Sequence, residues 1–290
     1  MSTLLLEYPA ARERSGGVWD YVSPSRLNLW LRCPLAFKLK YIDGIIPPPT
    51  PSLFVGKRVH DALEVYYRHR HLGAIDFGVA GAVKRIADSW QQAVEAEAMK
   101  FHSVQECDAL RQQTIDLVTV YLQQAAAVGE IPLAVETSME AMLVDPDTGE
   151  DLGIPLTGIV DLVVDDRDGP LICDFKTAAK SAAPFEVTHE IQLTSYAYLY
   201  RQSTGLEEGG LEIRSLIKTK VPKIEFHRYR SRSDVHFRRL FAVIRAYLDD
   251  LDSNRFVFRP GFGCSICDYR DGSCRDWSAV EIAGPRFPRR

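Results

Sequence analysis

The sequence predicts an α/β fold: helices come first, and a mixed, mostly antiparallel sheet flanked by helices follows. Three observations predict it. Up to about residue 128 the apolar residues recur at helical spacing. From Leu133 onward short runs of strand character, separated by Asp-Gly and Pro-containing turns, replace them. One helical stretch, His189–Gln202, then lies among the strands.

The chain has 290 residues, of which 46% are hydrophobic, ample for a core. Residues 1–20 read as a flexible lead-in. Ser23-Pro24 is a helix start, a hydroxyl N-cap followed by Pro at the first helical position. Cys33-Pro34 ends that helix and begins another, which stops before the Pro47-Pro48-Pro49 connector. Ser52–His71 is a strong amphipathic helix, with Gly56 one turn before His60 leaving room for a close approach. Two more helices are expected near Val79–Ala98 and Asp108–Val128.

Ala134–Val144 reads as a strand. The stretch from Leu156 to Tyr196 then reads as strand, Asp-Gly hairpin turn, strand (Leu171–Lys176), loop and helix. Strands near Leu211–Thr219 and Ile224–Tyr229 and a helix Asp234–Asp252 complete the core. The tail, Phe258–Trp277, is rich in Gly and Cys and carries neither period.

Two carboxylates stand out. Asp161 sits in an apolar strand, where a buried charge needs a partner. It either pairs with Lys176 or binds a cation. Asp174 and Lys176 are two apart on the next strand and so share a face, whereas Cys173 points to the other. Two carboxylates with a lysine beside them suit a hard divalent cation and an activated water.

No apolar run reaches the roughly 18 residues of a membrane span. The start, MSTLLLEYPAARERSGG, has no basic segment before its apolar patch. A cytoplasmic protein is expected. The net charge of −4 conceals a basic segment: ten Lys/Arg against three acids between Glu212 and Arg245. That segment is either a solvated surface or a track for a phosphate backbone.

Six cysteines in such a chain read as metal or cluster ligands rather than disulfides. Cys264-x-x-Cys267-x6-Cys274 together with Cys33 offers four thiolates, enough for zinc or an iron–sulfur cluster. Cys107 and Cys173 are isolated and read as core thiols.

Four motifs occur in order: Gly56-x-x-x-His60, Gly158-x-x-Asp161, Asp174-x-Lys176 and Gln192-x-x-x-Tyr196. In this the chain resembles the RecB-like branch of the PD-(D/E)XK nucleases over roughly residues 20–280. The one-plus-three cysteine layout, with Ser23-Pro24-Ser25-Arg26-Leu27-x-x-Trp30-x-x-Cys33-Pro34-x-x-Phe37, is similar to the iron–sulfur members. Those include the AddB nuclease domain and the CRISPR-associated adaptation exonucleases.

The resemblance implies a restriction-endonuclease-like core over residues 51–255. It also implies an iron–sulfur staple made from residues 21–50 and 256–290, with Cys33, Cys264, Cys267 and Cys274 holding a [4Fe–4S] cluster. Asp161, Asp174 and His60 would hold Mg²⁺ or Mn²⁺ with the Phe175 carbonyl, and Lys176 would orient the attacking water. Gln192 and Tyr196 would position the catalytic groups and DNA.

Lys180, Lys218, Lys220, Lys223 and Arg228 to Arg232 would track the backbone; Tyr196, Tyr198 and Tyr200 could stack on the bases of a single strand, with packing the more usual role for most of them. The activity implied is a DNA exonuclease on single-stranded ends, in CRISPR adaptation or in recombination and repair, beside integrase or helicase partners. A non-catalytic nucleic-acid-binding module is the alternative from another class.

Overall fold

In the computed structural model, residues 16–74, 76–181 and 186–278 are described. Most of the expected lead-in, and residues 279–290 of the tail, lie outside them; Gly17–Trp19 form a short 3-10 turn. Five helices precede the sheet: α1 (Pro24–Arg32), α2 (Pro34–Tyr41), α3 (Pro51–His71), α4 (Val79–Ala96) and α5 (Val104–Val128). The strands are β1 (Ile131–Val144), β2 (Asp151–Asp165), β3 (Leu171–Ala178), β4 (Gly210–Ile217) and β5 (Lys223–Arg230). Helix α6 (Glu186–Thr204) joins β3 to β4, α7 (Asp234–Asp252) follows β5, and α8 (Ser273–Ser278) lies in the tail. None of the described helices is long and apolar enough to cross a membrane.

Hydroxyl caps set several helix starts. Ser23 accepts from Arg26 N at 3.3 Å, with Pro24 behind it as the sequence suggests. Helix α5 begins four residues earlier than its apolar pattern indicated, because Ser103 caps it by accepting from Glu106 N.

The sheet order is β1-β2-β3-β4-β5; every neighbouring pair is antiparallel except β3 and β4, which run parallel through the α6 crossover. The mixed sheet expected from sequence is therefore present. Helices α3, α4 and α5 bury Phe54, Val59, Trp90, Leu117 and Tyr121 on one face with Leu162, Cys173 and Phe175. Helices α1, α2, α6 and α7 bury Trp30, Phe37, Leu199, Phe241 and Tyr247 on the other with Leu156 and Ile172. Apolar contact on both faces is the main stabilising contribution.

Two features of this sheet prepare the site. First, β2 and β3 pair only over Leu162↔Cys173 to Val164↔Leu171, after which the sheet forks. Beyond the fork β3 continues against β4 as far as Ala178↔Ile217, while β2 continues against β1. Secondly, the alternation of faces reverses at Glu136 and Asp161. Val135 and Leu162 belong to the α3–α5 layer, whereas Met139 and Val160 belong to the α6–α7 layer. Glu136 has a φ of 41°, a left-handed conformation that is uncommon for Glu and turns the strand over at this point.

The tail and the N-terminal helices meet. Leu35 N donates to the Val257 carbonyl at 3.2 Å, Phe256 stacks on Phe37, and the Tyr269 hydroxyl donates to the Ile45 carbonyl. The segment expected to lack periodic structure contains a 3-10 turn (Phe262–Ile266) and α8.

The basic segment divides: Arg214 and Arg232 are buried, whereas Lys220, Lys223, Arg228, Arg230, Arg238 and Arg239 are exposed. Arg214 is buried at 1% exposure; it ion-pairs with Glu130 and Glu212 at 2.7 Å and donates to the Tyr121 hydroxyl. A charge so buried has to be paired. Arg228 pairs with Asp166, Arg238 with Asp147, Arg239 with Glu190 and Arg245 with Asp145, and Arg232 is buried. Lys180 and Lys220 remain exposed, while Lys218 donates to Ser52 Oγ and Lys223 pairs with Glu225.

Candidate active site

Where β2 and β3 part, the backbone of Phe175 loses its cross-strand partners, and side chains replace them. Phe175 N donates to Asp161 Oδ2 at 2.7 Å, and the Phe175 carbonyl lies 3.1 Å from His60 Nε2. A buried backbone polar group left unpaired is costly, so the fork fixes both side chains. His60 arrives from α3 on one face of the sheet. Gln192 arrives from α6 on the other, donating to Asp174 Oδ1 and to the Tyr196 hydroxyl, each at 2.8 Å.

The two motif glycines make this approach possible. A Cβ on Gly56 would meet Thr177 Oγ1 at 3.0 Å, so α3 lies against the end of β3. A Cβ on Gly158 would meet Leu199 Cδ1 at 2.9 Å and Tyr196 Cε1 at 3.3 Å, so α6 lies against β2. The space expected beside Gly56 is taken by this strand rather than by a substrate.

The expected site residues do come together, with one addition. His60, Glu136 and Asp161 place one ligand atom each within 4.8 Å of one another. His60 Nδ1 is 3.8 Å from Glu136 Oε1 and 3.7 Å from Asp161 Oδ1. Glu136 was not singled out in the sequence: in an alternating strand beside Glu140 it reads as a solvent-facing acid. The reversal that turns it inward has no glycine or asparagine to mark it.

Asp174 is 1% exposed and lies beside this group rather than within it. Its Oδ2 is 2.7 Å from Lys176 Nζ, close enough for an ion pair, yet the approach is off the hydrogen-bonding directions and that oxygen accepts no hydrogen bond. Lys176 thus pairs with Asp174, not with Asp161.

The electrostatics follow from burial and like charge. Burial, then the Asp174 charge, pushes the Asp161 carboxyl up to about 7 against the pull of His60. For His60 burial acts downward, but the close Glu136 carboxylate and the charges of Asp161 and Asp174 outweigh it, and its pKa is raised. Burial and the neighbouring Asp174 also raise the Tyr196 phenol, which stays protonated. Burial, then the Lys176 cation, holds His189 below the ordinary histidine value.

Two clefts meet at Lys176. One, of about 760 Å³, is bordered by Ser52, Lys57, Arg58, His60 and Glu136. The other, of about 610 Å³, is bordered by α1, β2, Gln192 and Tyr196. Tyr198 and Tyr200 open onto neither: both are buried, and the Tyr198 hydroxyl donates to the Met142 carbonyl. Tyr196 is buried too, with its hydroxyl held by Gln192. Of the two uses the sequence offers for these tyrosines, the structure shows packing: all three are buried on α6, and Tyr196 also braces Gln192.

A second polar centre lies at the meeting of the chain ends. Cys33, Cys264, Cys267 and Cys274 line one cavity of about 250 Å³, with Arg32, Arg259 and Arg270 at its wall. Arg259 N donates to Cys33 Sγ at 3.5 Å. The Cys274 thiol is raised by burial and then by Cys33, Cys267 and Cys264. Among the described residues no three of these sulfurs lie within 4.8 Å of one another. Cys173 is buried on the α3–α5 face, and Cys107 accepts from Trp90 Nε1 at 3.3 Å; both stand apart from this cavity.

A family model for the PD-(D/E)XK nuclease superfamily matches residues 21–275. The chain belongs to that superfamily. It is a nuclease by family, and nucleases of this kind use divalent metal ions. No curated protein matches it. Among solved structures, a "Putative exonuclease" from Eubacterium rectale aligns with a TM-score of 0.57 at 14% identity, over 93% of this chain and 91% of that one. At that identity the likeness is one of fold. The structure of SSO0001 aligns with a TM-score of 0.35 at 13% identity, over 73% of this chain and 82% of that one, too low to bear on the fold.

Proposed function

We propose that the chain is a divalent-metal-dependent DNA exonuclease acting on single-stranded ends, with its reaction centre at the fork between β2 and β3. The observation that carries this is the set of buried Asp161 with half-buried His60 and Glu136 within 4.8 Å, beside a buried Asp174 oxygen that accepts no hydrogen bond. Such a surplus of carboxylate oxygen in a buried place fits a hard cation. His60, Glu136, Asp161 and Asp174 would hold Mg²⁺ or Mn²⁺. A bound divalent cation supplies Lewis acidity and offsets phosphate charge.

The remaining work belongs to the side chains. Gln192, braced by Tyr196, holds Asp174 in place. Lys176, about one third exposed, stands between the two clefts, where its ammonium can hold a water or a phosphate oxygen and offset developing negative charge. Lys180 and Lys220, exposed near the end of β3 and after β4, supply phosphate contacts that fix the strand without reading its bases.

The four cysteines would hold a [4Fe–4S] cluster. The four cysteines around one cavity, in a one-plus-three layout along the sequence, support this reading. Such a group would tie residues 21–50 to 256–290 around the core of residues 51–255 and contribute to folding. The motif set supports DNA processing of the CRISPR-adaptation kind, with an integrase as partner, or RecB-like recombination and repair, with a helicase.

The test uses labelled single strands incubated with Mg²⁺, Mn²⁺ or EDTA. Shortening from one end with either metal and none in EDTA is expected. Shortening that survives EDTA would overturn the metal mechanism, and no shortening with any metal would favour a binding module.

A further inference from the structure

The cleft on the α1 side of Lys176 differs in chemistry from its neighbour. Ser23, Ser25, Asn28, Ser138 and Thr157 line it, and among the described residues Lys176 is its one ionic side chain. Hydroxyls and an amide without fixed charge suit the polar edges of a base and a sugar. Tyr21 stands in the wall of the same cleft, half-buried.

The position of Tyr21 is determined by its neighbours. Val22 bridges to the branch of β2 that has left β3: Val22 N donates to the Pro155 carbonyl and Thr157 N to the Val22 carbonyl, each at 2.8 Å. Arg26, only 6% exposed, donates to the carbonyls of Tyr21 at 2.5 Å and Val18 at 3.3 Å. Its guanidinium carbon lies 3.7 Å from the centroid of the Tyr21 ring. A cation against one ring face fixes the ring and is itself favourable.

We propose that Tyr21 is the stacking platform for the base of an unpaired nucleotide held in the cleft beside Lys176. The inference rests on the nuclease reading above and names a substrate feature for it. A rigid aromatic ring, braced from behind and set in a neutral polar wall, recognises any base by its π-face. A paired base inside a duplex has both faces covered by its neighbours, so a nucleotide taken from within a strand must be unpaired. With Tyr196, Tyr198 and Tyr200 buried in packing, Tyr21 fills the role that the sequence had suggested for them.

The test is equilibrium binding of a fluorescent single-stranded oligonucleotide to the full chain, in an Asp174→Asn background with Mg²⁺ so that the strand stays intact. Tyr21→Ala is expected to weaken binding by about 5- to 150-fold, Tyr21→Trp to retain it, and the salt dependence to be unchanged because no phosphate contact is lost. An abasic residue walked along the oligonucleotide should weaken binding to the Tyr21 protein at one position, and cost the Tyr21→Ala protein nothing there.

Should Tyr21→Ala fail to fold, the abasic series on the Tyr21 protein still decides: no sensitive position overturns the inference. Equal binding by the Tyr21 and Tyr21→Ala proteins, from a chain that does cleave DNA, overturns the stacking role alone. A chain that neither binds nor cleaves overturns the nuclease reading with it.

Discussion

The two polar centres of this protein are built in opposite ways. At the fork, His60, Glu136, Asp161 and Asp174 sit on a 21-residue helix and three strands, and backbone groups freed by the splaying sheet hold two of them. In the cysteine cavity, Cys33 sits between two short helices, and Cys264, Cys267 and Cys274 follow turns of a tail whose Phe262 is 90% exposed. The fork is shaped by the fold and would persist without its ion. One wall of the cavity is the buried Leu35, Ala36 and Leu39 of α2, while the wall that carries Cys264 and Cys267 is an exposed turn, which a group bound by the thiolates would hold in place. On the function proposed above, the first centre would serve chemistry and the second stability.

The sharpest break in that comparison is at Asp174. Asp174→Asn keeps the contact from Gln192 and removes a charge next to Asp161. It should lower cleavage by about a thousandfold while leaving Tm within a few degrees of the parent. Cleavage rates and a melting curve from the same preparation check this; loss of fold with loss of activity would show that the fork is not self-supporting.

Cys33→Ala or Cys274→Ala should do the reverse. Anaerobically purified parent protein should be brown with broad visible absorbance, and either substitution should remove the colour and lower Tm by on the order of 10 °C. Colourless parent protein with stoichiometric zinc would replace the cluster with zinc while leaving the stabilising role in place.

A smaller effect is expected at the helix contact behind the fork. Gly158→Ala puts a methyl 2.9 Å from Leu199 Cδ1 and 3.3 Å from Tyr196. Overpacking of this kind costs about 1–3 kcal/mol, and by shifting Tyr196 it should slow cleavage less than Asp174→Asn does. Denaturant unfolding and turnover measured together check the order.

The smallest effect is in pH. In the metal-free protein Asp161 titrates at about 7, against about 4 in an unfolded chain. The native state therefore holds that proton more tightly. Its contribution to stability is complete below about pH 4 and is lost as pH rises through about 7. Melting in EDTA should show a fall of a few degrees across that interval, reduced in Asp161→Asn.

These centres were not equally legible in the sequence. Asp161, Asp174 and Lys176 announced themselves because charge in a β-branched run needs a reason, and strand parity correctly sent Cys173 to the opposite face. The succession of helices and strands along the chain followed from periodicity and turn residues. Glu136 was hidden, because its role depends on a left-handed residue in the middle of a strand, a tertiary effect of the fork that its own side chain does not signal. Within the basic segment Arg214 and Arg232 look like surface charges in one dimension, and only the fold shows that they are buried. Tyr21 was silent because its brace, Arg26, resembles any helical arginine until its guanidinium is seen against the ring.

The central claim is that the fork holds a divalent cation through His60, Glu136, Asp161 and Asp174. Electron paramagnetic resonance of Mn²⁺ titrated into the full chain tests it most directly, since it reads free and bound ion without requiring turnover. Saturable binding that Asp161→Asn abolishes and Glu136→Gln weakens, with Cys33→Ala leaving it in place wherever that protein folds, is the predicted result. Mn²⁺ binding unchanged by Asp161→Asn and Glu136→Gln together would contradict it.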